Sequence, residues 1–426
     1  MAENASAADK SPRGSPSLLI VGRLGASGLA FISAPIVARA VGPEGRGETA
    51  AALALYAIVP VLLGIGIPLE VRRQAATSNG HEVVRAARIV ASVMLLPAAG
   101  VAAVCYLTIF SSFSSDGRLV AAVGVALAPM STSWAIDVSV LSAHRRYRGV
   151  LLMQLLQPAV YVTLIAALWI LGTAKVSTVL AASIVGSVAT FIAGLNLVKV
   201  PIRGTRSRLG DLVRKGLHFS GSAVAETASI RADQIFALPL LGAYQAGIYS
   251  VAATIGAMPL AVAHALGASY FAPIAQAGGD RRKNLQSEAV RGAVAAAAMV
   301  IPPVAAATWV LIPIVFGDEF RPSVPVSMVS LVGSAGLLVA YVVSMALAAD
   351  GRGLQMTIAQ VASLLFGIGA LLLLGPVLGA IGAAVASTLG YFLLLALLLV
   401  FLRIPYSSLW PDIIDFKVAV RRLRRD

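Results

Sequence analysis

The sequence predicts an all-α integral membrane protein with about twelve transmembrane helices, arranged as two six-helix bundles. Three observations support this fold class. Of the 426 residues, 58% are apolar and only 12% are charged, which is about half the charged share of an average soluble domain. Twelve apolar runs approach or exceed the roughly 20 residues that a transmembrane helix needs. Two short motifs also recur about 200 residues apart in the chain.

This composition excludes several classes of protein. A soluble enzyme, a nucleic-acid-binding module and a disordered chain all need more charge and less apolar surface, so the net charge of +14 does not indicate a nucleic-acid partner. The single cysteine, Cys105, excludes an intrachain disulfide and metal sites built from cysteine clusters. The four histidines lack the paired spacing of metalloproteases. We therefore expect neither a metal nor any other cofactor.

The twelve predicted spans follow each other with short connections; the two longest, 199–215 and 269–289, have about 17 and 21 residues, which is too short to fold a catalytic domain. The first span is too long for a signal-peptide core and is expected to be retained. The predicted spans are 17–40, 49–69, 86–110, 119–141, 150–171, 176–198, 216–239, 243–268, 290–316, 324–349, 354–375 and 377–402.

The positions of the basic residues predict the orientation. With a cytoplasmic N-terminus, 26 of the 33 Lys and Arg fall in inner segments and only 5 in outer loops, as the positive-inside rule requires. Both termini are therefore expected in the cytoplasm. The predicted segments are a cytoplasmic N-tail (1–16), a first six-helix bundle (17–198), a basic cytoplasmic linker (199–215), a second six-helix bundle (216–402) and a basic cytoplasmic tail (403–426).

The C-terminal tail is expected to interact with lipid. From Pro411 onward, apolar residues fall on one helical face and basic residues on the others. Such a basic amphipathic helix would lie on anionic inner-leaflet lipids. A frayed polar tail is the alternative.

Two pairs of similar segments suggest an internal repeat. The stretch GPEGRGETAAA, from Gly42 to Ala52, aligns with GAYQAGIYSVA, from Gly242 to Ala252. Arg148-Gly149 similarly aligns with Arg352-Gly353. Because six spans separate the copies, both halves would enter the membrane in the same direction, as in parallel-repeat transporters. The groove between the bundles would then be the substrate path.

The run RADQIFALPLLGAYQAGIYSVA, from Arg231 to Ala252, resembles the polysaccharide (Wzx-type) flippases of the multidrug/oligosaccharidyl-lipid/polysaccharide exporter superfamily. Similar stretches begin at Pro35, Ile312 and Gly379, so the resemblance covers nearly the whole chain. It implies two six-helix bundles around a V-shaped central cavity. It also implies transport of a polyprenyl-pyrophosphate-linked oligosaccharide across the bacterial inner membrane, with other polysaccharide-assembly proteins as partners. The related lipid II flippases differ, because they carry two further helices and a denser set of cavity arginines.

Charged residues inside the predicted spans are the first site candidates. A charge facing lipid at the bilayer centre would cost about 2.5–3.5 kcal/mol, so these side chains must face protein or water. Arg231 and Arg23 are candidates for holding the pyrophosphate, through the guanidinium fork. Glu226 and Asp233 are candidates for ion coupling. Interhelical pairing or, for Arg23, snorkelling to the headgroups is the alternative.

Five more residues complete the candidate set. Arg39 and Arg46, which flank Gly42 on the outer side, are candidates for an outer gate that engages cargo phosphate, or else belong to a solvated turn. Gln154, Gln157 and Gln360 are candidates for hydrogen bonding to sugars, although amides also hold membrane helices together.

Two other functions stay open at this point. A multidrug or small-molecule cation exporter of the same superfamily would place acidic rather than basic groups deep in the cavity. A membrane glycosyltransferase or polysaccharide polymerase would need a sizeable outer loop with catalytic groups.

Overall fold

A computed structural model describes residues 17–77, 80–201, 203–403, 410–412 and 416. Within these ranges the protein is mostly helical and contains no strand, so the all-α prediction is confirmed. The tails at 1–16 and 417–426, and with them most of the predicted amphipathic helix, lie outside the described residues.

Fourteen α-helices make up the described part of the chain. The N-terminal half (residues 17–198) contains α1 (Ser17–Gly64), α2 (Ile67–Ala75), α3 (His81–Val93), α4 (Leu95–Leu107), α5 (Ser115–Ala126), α6 (Ala128–Ala143), α7 (Tyr147–Ile170) and α8 (Val176–Leu197). The C-terminal half (residues 209–402) contains α9 (Leu209–Leu241), α10 (Ala243–Ala257), α11 (Leu260–Gln276), α12 (Gly279–Leu311), α13 (Ser323–Ala349) and α14 (Gly353–Leu402).

Two of these helices each cover two predicted spans. α1 bends at Gly42, where φ is 68°, and α14 bends at Gly379, where φ is 58°. Glycine adopts these angles without the steric penalty that a Cβ brings, so the chain reverses without a loop. Within the described chain, nine helical segments are long and apolar enough to cross a membrane. This confirms a multi-pass membrane protein, whereas the count of twelve spans and the 6+6 repeat stay predictions.

The two halves touch where α1 and α10 cross. A methyl group on Gly47 would lie 2.2 Å from the carbonyl oxygen of Ala243, and one on Gly247 would lie 1.8 Å from that of Pro43. No larger side chain fits at this backbone-to-backbone contact, as in close helix crossings of membrane proteins generally. We call the end of the molecule that holds Gly42, Gly47, Gly242 and Gly247 the glycine end.

The opposite end carries most of the basic residues and is called the basic end; it holds the α1–α2, α6–α7, α8–α9 and α13–α14 connections. Here α9 crosses to the N-terminal half, where Leu212 packs into the core around α2 and α3. A methyl group on Gly216 would lie 2.6 Å from the carbonyl oxygen of Ile65. On α2, the hydrogen bond from Arg73 lowers the pKa of the buried Glu70 carboxyl. The halves thus contact each other at both ends and enclose a space between.

Candidate functional site

A cavity of about 1040 Å³ lies between the halves. This volume is at the upper limit of the range typical of sites for drug-sized ligands. Residues of α1, α6, α7 and α8 line it on one side and residues of α9, α10, α11, α13 and α14 on the other. The predicted central cavity is therefore present, and both halves contribute to it.

All five Lys, Arg, Asp and Glu side chains in the lining come from two helices. Arg23 and Arg46 lie on α1, and Glu226, Arg231 and Asp233 lie on α9. The three residues of α9 recur at steps of five and two along the helix and share a broad face with Thr227, Ile230 and Gln234. That face is polar because it borders the cavity, which explains why α9 lacks the hydropathy of the other spans.

Arg46 lies deeper than its sequence position suggests. It was expected in an outer connection, but the bend at Gly42 lets α1 resume at once, so Arg46 sits inside the second arm of α1. The residue is 8% exposed and lines the cavity. Its Nη2 donates to Oγ1 of Thr254 at 3.3 Å, and its Nε has no partner in the described part of the protein.

Arg46 and Arg231 approach each other from opposite halves. They lie close enough for their positive charges to repel. Among the described residues, neither has a carboxylate within 4.0 Å, and Arg231 is exposed to the cavity. Asp233 acts on Arg231 electrostatically but forms no ion pair with it within 4.0 Å. Two guanidinium groups that face one cavity and form no ion pair in the described part of the protein are a favourable site for an anion with two charges.

Asp233 is the centre of a hydrogen-bond network on the C-terminal side. Its Oδ2 accepts from the hydroxyls of Tyr249 and Ser387, the latter at 3.1 Å, and its Oδ1 accepts from the backbone N–H of Gln234 at 2.7 Å. Tyr391 also lies close enough to interact with Asp233 and Arg231 electrostatically. The carboxylate is thus held by neighbours on α9, α10 and α14.

A second polar cluster lies nearer the basic end. Arg23 of α1 and Glu226 of α9 lie within electrostatic range of each other, and His264 of α11 is near Arg23. The ring of His264 packs edge-on against Tyr341, with the centroids 4.6 Å apart. Arg23, Glu226 and His264 all line the cavity.

Comparison with a family model identifies the protein. Residues 15–274 match the model described as "Polysaccharide biosynthesis protein". The chain belongs to this polysaccharide biosynthesis protein family. The resemblance found in the sequence is thereby confirmed, and the family is not one of enzymes. No curated protein matches the chain.

Solved structures agree with this family membership. The fold is similar to that of "Lipid II flippase MurJ, inward closed conformation", with a TM-score of 0.73 and 13% identity over 96% of this chain and 91% of that one. It is also similar to an inward-facing multidrug resistance MATE family transporter of the MOP superfamily, with a TM-score of 0.68 and 15% identity over 95% and 98% of the chains. An outward-facing structure of a multidrug resistance MATE family transporter matches with a TM-score of 0.57 and 15% identity over 97% of both chains.

In this family member, three of the candidate residues lie outside the described cavity lining. Gln154 packs between α7 and α1, where a methyl group on Gly22 would lie 2.0 Å from its Oε1. Gln360 is 6% exposed and buried among helices. Arg39 donates to the backbone carbonyls of Val315 and Ile314, in the short helical segment that follows α12. Gln157 does line the cavity.

Sequence reasoning missed the aromatic and hydroxyl residues of the lining. Tyr161, Tyr249, Tyr391, Trp134 and Ser387 sit in runs whose mean hydropathy is that of ordinary spans. Tyrosine and tryptophan are common in membrane helices, so their presence alone does not distinguish a cavity from a helix contact. Of these residues, only Tyr249 lies in the run that carries the family resemblance, and the other four gave no signal in the sequence.

Proposed function

We propose that this protein flips a polyprenyl-diphosphate-linked oligosaccharide from the inner to the outer leaflet of the bacterial inner membrane by alternating access. The observation that carries the proposal is the pair Arg46 and Arg231, one from each half, which face the same cavity and have no carboxylate within 4.0 Å among the described residues. A diphosphate bridging the two guanidinium groups would relieve their repulsion. Because the two residues belong to different halves, the cargo would be released when the halves rearrange.

The other cavity charges fit the same cargo. Arg23 lies nearer the basic end, where it would meet the diphosphate on entry. Until then, Glu226 would balance its charge, because the two side chains lie within electrostatic range. Glu226 and Asp233 are the groups proposed for ion coupling, since they are the two acidic residues in the described lining. A cation exporter is a weaker interpretation, because the Asp233 carboxylate already accepts two hydroxyl groups.

The proposed orientation places the basic end in the cytoplasm. The closer similarity to inward-facing than to outward-facing transporter structures supports an inward-facing state, in which the glycine end is closed. Moving an anion outward across an inside-negative membrane is favourable by about 2.3 kcal/mol per charge per 100 mV. The membrane potential would then supply part of the driving force.

The decisive experiment measures flipping in proteoliposomes with a polyprenyl-diphosphate-linked oligosaccharide. We expect Arg46→Gln and Arg231→Gln each to slow flipping by about 30-fold or more, because truncating one partner of a desolvated charge pair costs about 2–5 kcal/mol. Arg321→Gln is the matched control, since Arg321 is exposed and pairs with Asp318 at the surface. Normal flipping by Arg231→Gln would rule out the proposal.

A further inference from the structure

The two walls of the cavity differ in what their polar groups already bind. Helices α6, α7 and α8 contribute one wall, which we call the N-wall. Its polar and aromatic lining residues include Ser131, Trp134, Gln157, Tyr161, Ser183 and Ser187. In the described lining, these three helices contribute no charged residue, since all the charges come from α1 and α9 apart from His264 of α11.

Two buried polar groups of the N-wall lack partners in the described part of the protein, whereas Thr132 of α6 donates to the carbonyl of Pro60 at 3.0 Å. Neither the indole N–H of Trp134 nor the hydroxyl of Tyr161 has a hydrogen-bond partner among the described residues, although both atoms are buried. The amide of Gln157 borders the cavity and likewise bonds to nothing in that part of the protein. A buried polar group without a partner costs about 1–3 kcal/mol. The N-wall therefore holds hydrogen-bonding capacity that the described residues of the protein do not use.

On the facing wall most of the hydroxyl groups are already occupied. Tyr249 and Ser387 bind Asp233, whereas Ser334 and Thr388 donate to the backbone carbonyls of Gly256 and Val329. Thr254 donates to the carbonyl of Ser250 and accepts from Arg46. These groups stabilise the protein itself and have less to offer a ligand.

The chemistry of the N-wall matches uncharged sugar. Hydroxyl and amide groups both donate and accept hydrogen bonds, as sugar hydroxyls do, and an aromatic side chain offers an apolar face beside a polar edge. An ionised carboxylate is different, because it only accepts hydrogen bonds and is costly to bury without a cation. In the described lining, α6, α7 and α8 offer no cation for it, and the adjoining Arg46 would be occupied by the diphosphate.

We infer that the N-wall is the glycan subsite and that it selects a neutral oligosaccharide over one that carries a uronic acid at the same position. The diphosphate would lie between Arg46 and Arg231, and the first sugars would extend from it past Tyr161 to Gln157 and Trp134. Tyr161 lies within electrostatic range of Arg46, so the two subsites adjoin. This inference rests on the proposed function, which supplies the diphosphate.

The test compares three ligands of the full chain in lipid nanodiscs. They are a sugar-free polyprenyl diphosphate, the same lipid with a neutral trisaccharide, and the same lipid with one hexose replaced by a hexuronic acid. We expect the neutral trisaccharide to bind about 10-fold more tightly than the sugar-free lipid. The hexuronic acid should remove that gain. Equal affinity for the neutral and acidic trisaccharides would overturn the inference.

Two variants locate the effect on the N-wall. Gln157→Ala and Trp134→Phe should each weaken binding of the neutral trisaccharide by about 5-fold, the value of one hydrogen bond, and leave binding of the sugar-free lipid unchanged. Asn196→Ala is the matched control, because the amide of Asn196 bonds to Ile192 on α8 and lies outside the lining. If neither variant weakens glycan binding, the inference is wrong.

The same titrations separate this inference from the proposed function. If the sugar-free lipid binds and Arg231→Gln abolishes that binding, but the trisaccharide adds no affinity, only the glycan subsite is wrong. If the sugar-free lipid does not bind, or binds equally well to Arg231→Gln, the proposed function fails as well. Thermal unfolding of each variant confirms that it folds.

Discussion

The N-terminal and C-terminal halves contain similar ion pairs and arginine–carbonyl hydrogen bonds near the basic end, but these contacts differ in how deeply they are buried. In each half an arginine on one helix pairs with an aspartate near the basic end: Arg88 with Asp137, and Arg282 with Asp350. In each half a second arginine donates to a carbonyl at the end of the last helix, Arg146 to Leu197 and Arg352 to Phe401. The two halves thus contain similar ion pairs and arginine–carbonyl contacts, which differ in burial and in hydrogen bonding.

The cavity shows the same contrast between the halves. The C-terminal half surrounds Asp233 with bound hydroxyl groups. The N-terminal half leaves Tyr161 and Trp134 without partners in the described residues. A preorganised network keeps its own geometry, whereas unpartnered groups are available to a ligand. The difference suggests a division of roles, in which the C-terminal half holds coupling groups and the N-terminal half contacts the glycan.

The largest expected effect tests the difference between the two ion pairs. Asp137 is fully buried and its Oδ2 has no hydrogen-bond partner among the described residues, whereas the side chain of Asp350 is 11% exposed and also pairs with Arg352 at 2.9 Å. Arg88→Met should therefore destabilise the protein by about 3–5 kcal/mol, because it leaves a buried charge uncompensated. Arg282→Met should cost about 1 kcal/mol or less. Unfolding of the detergent-solubilised protein measures both.

The double variant Arg88→Met/Asp137→Asn is the control for lost packing. Replacing both partners of a buried pair is often nearly neutral, so this variant should recover much of the lost stability. Equal destabilisation by Arg88→Met and Arg282→Met would show that the halves do not differ in this respect.

The second prediction concerns the glycine contact between the halves. Gly47→Ala forces a methyl group against the backbone of α10, which side-chain movement cannot relieve. Overpacking of this kind costs about 1–3 kcal/mol. If the glycine end opens during transport, the variant should shift the equilibrium towards the open state by about 10-fold. Spin labels at Glu44→Cys and Tyr244→Cys, in a Cys105→Ser background, report the distance between the two halves at the glycine end.

Gly369→Ala is the control for the glycine contact, since a methyl group there would meet nothing within 4 Å. It should leave both the distance distribution and transport unchanged. A Gly47→Ala protein whose distances match the wild type would show that the glycine end does not separate.

Composition and the lengths of the apolar runs predicted the all-α membrane fold, because both can be read from short stretches of sequence. The paired glycines were visible because only glycine tolerates the backbone angles at Gly42 and Gly242, where φ is 68° and 81°. The internal repeat stays a prediction. The local hydrogen bonding is alike at Arg146 and Arg352, because each donates its backbone N–H to the carbonyl five residues earlier.

Long-range partners could not be predicted in the same way. Arg145 and Arg146 are the basic residues nearest to Asp137 in sequence, but Asp137 pairs with Arg88, which is 49 residues away. The burial of Arg46 depends on how sharply α1 bends, and the free groups of the N-wall depend on which helix faces them. These features arise from packing between helices, and the sequence of a single helix does not reveal which other helix packs against it.

The smallest expected effect comes from giving the α6–α7 connection the glycine that the α13–α14 connection has. Arg145 adopts a φ of 56°, where the corresponding residue of the C-terminal half, Gly351, has 76°. A left-handed conformation costs a residue with a side chain about 1–2 kcal/mol. Glycine avoids that cost but loses more entropy on folding. Arg145→Gly should therefore stabilise the protein by about 0.5–1 kcal/mol, measured as a higher unfolding midpoint.

The control for this substitution is Arg148→Gly, which removes the same charge from the first turn of α7. Glycine within a helix costs about 0.5–1 kcal/mol, so this variant should be less stable than the wild type. Opposite signs for the two variants would attribute the effect to the backbone rather than to the charge. If Arg145→Gly is destabilising, the Arg145 side chain contributes more than its strained backbone costs, and the two connections are stabilised in different ways.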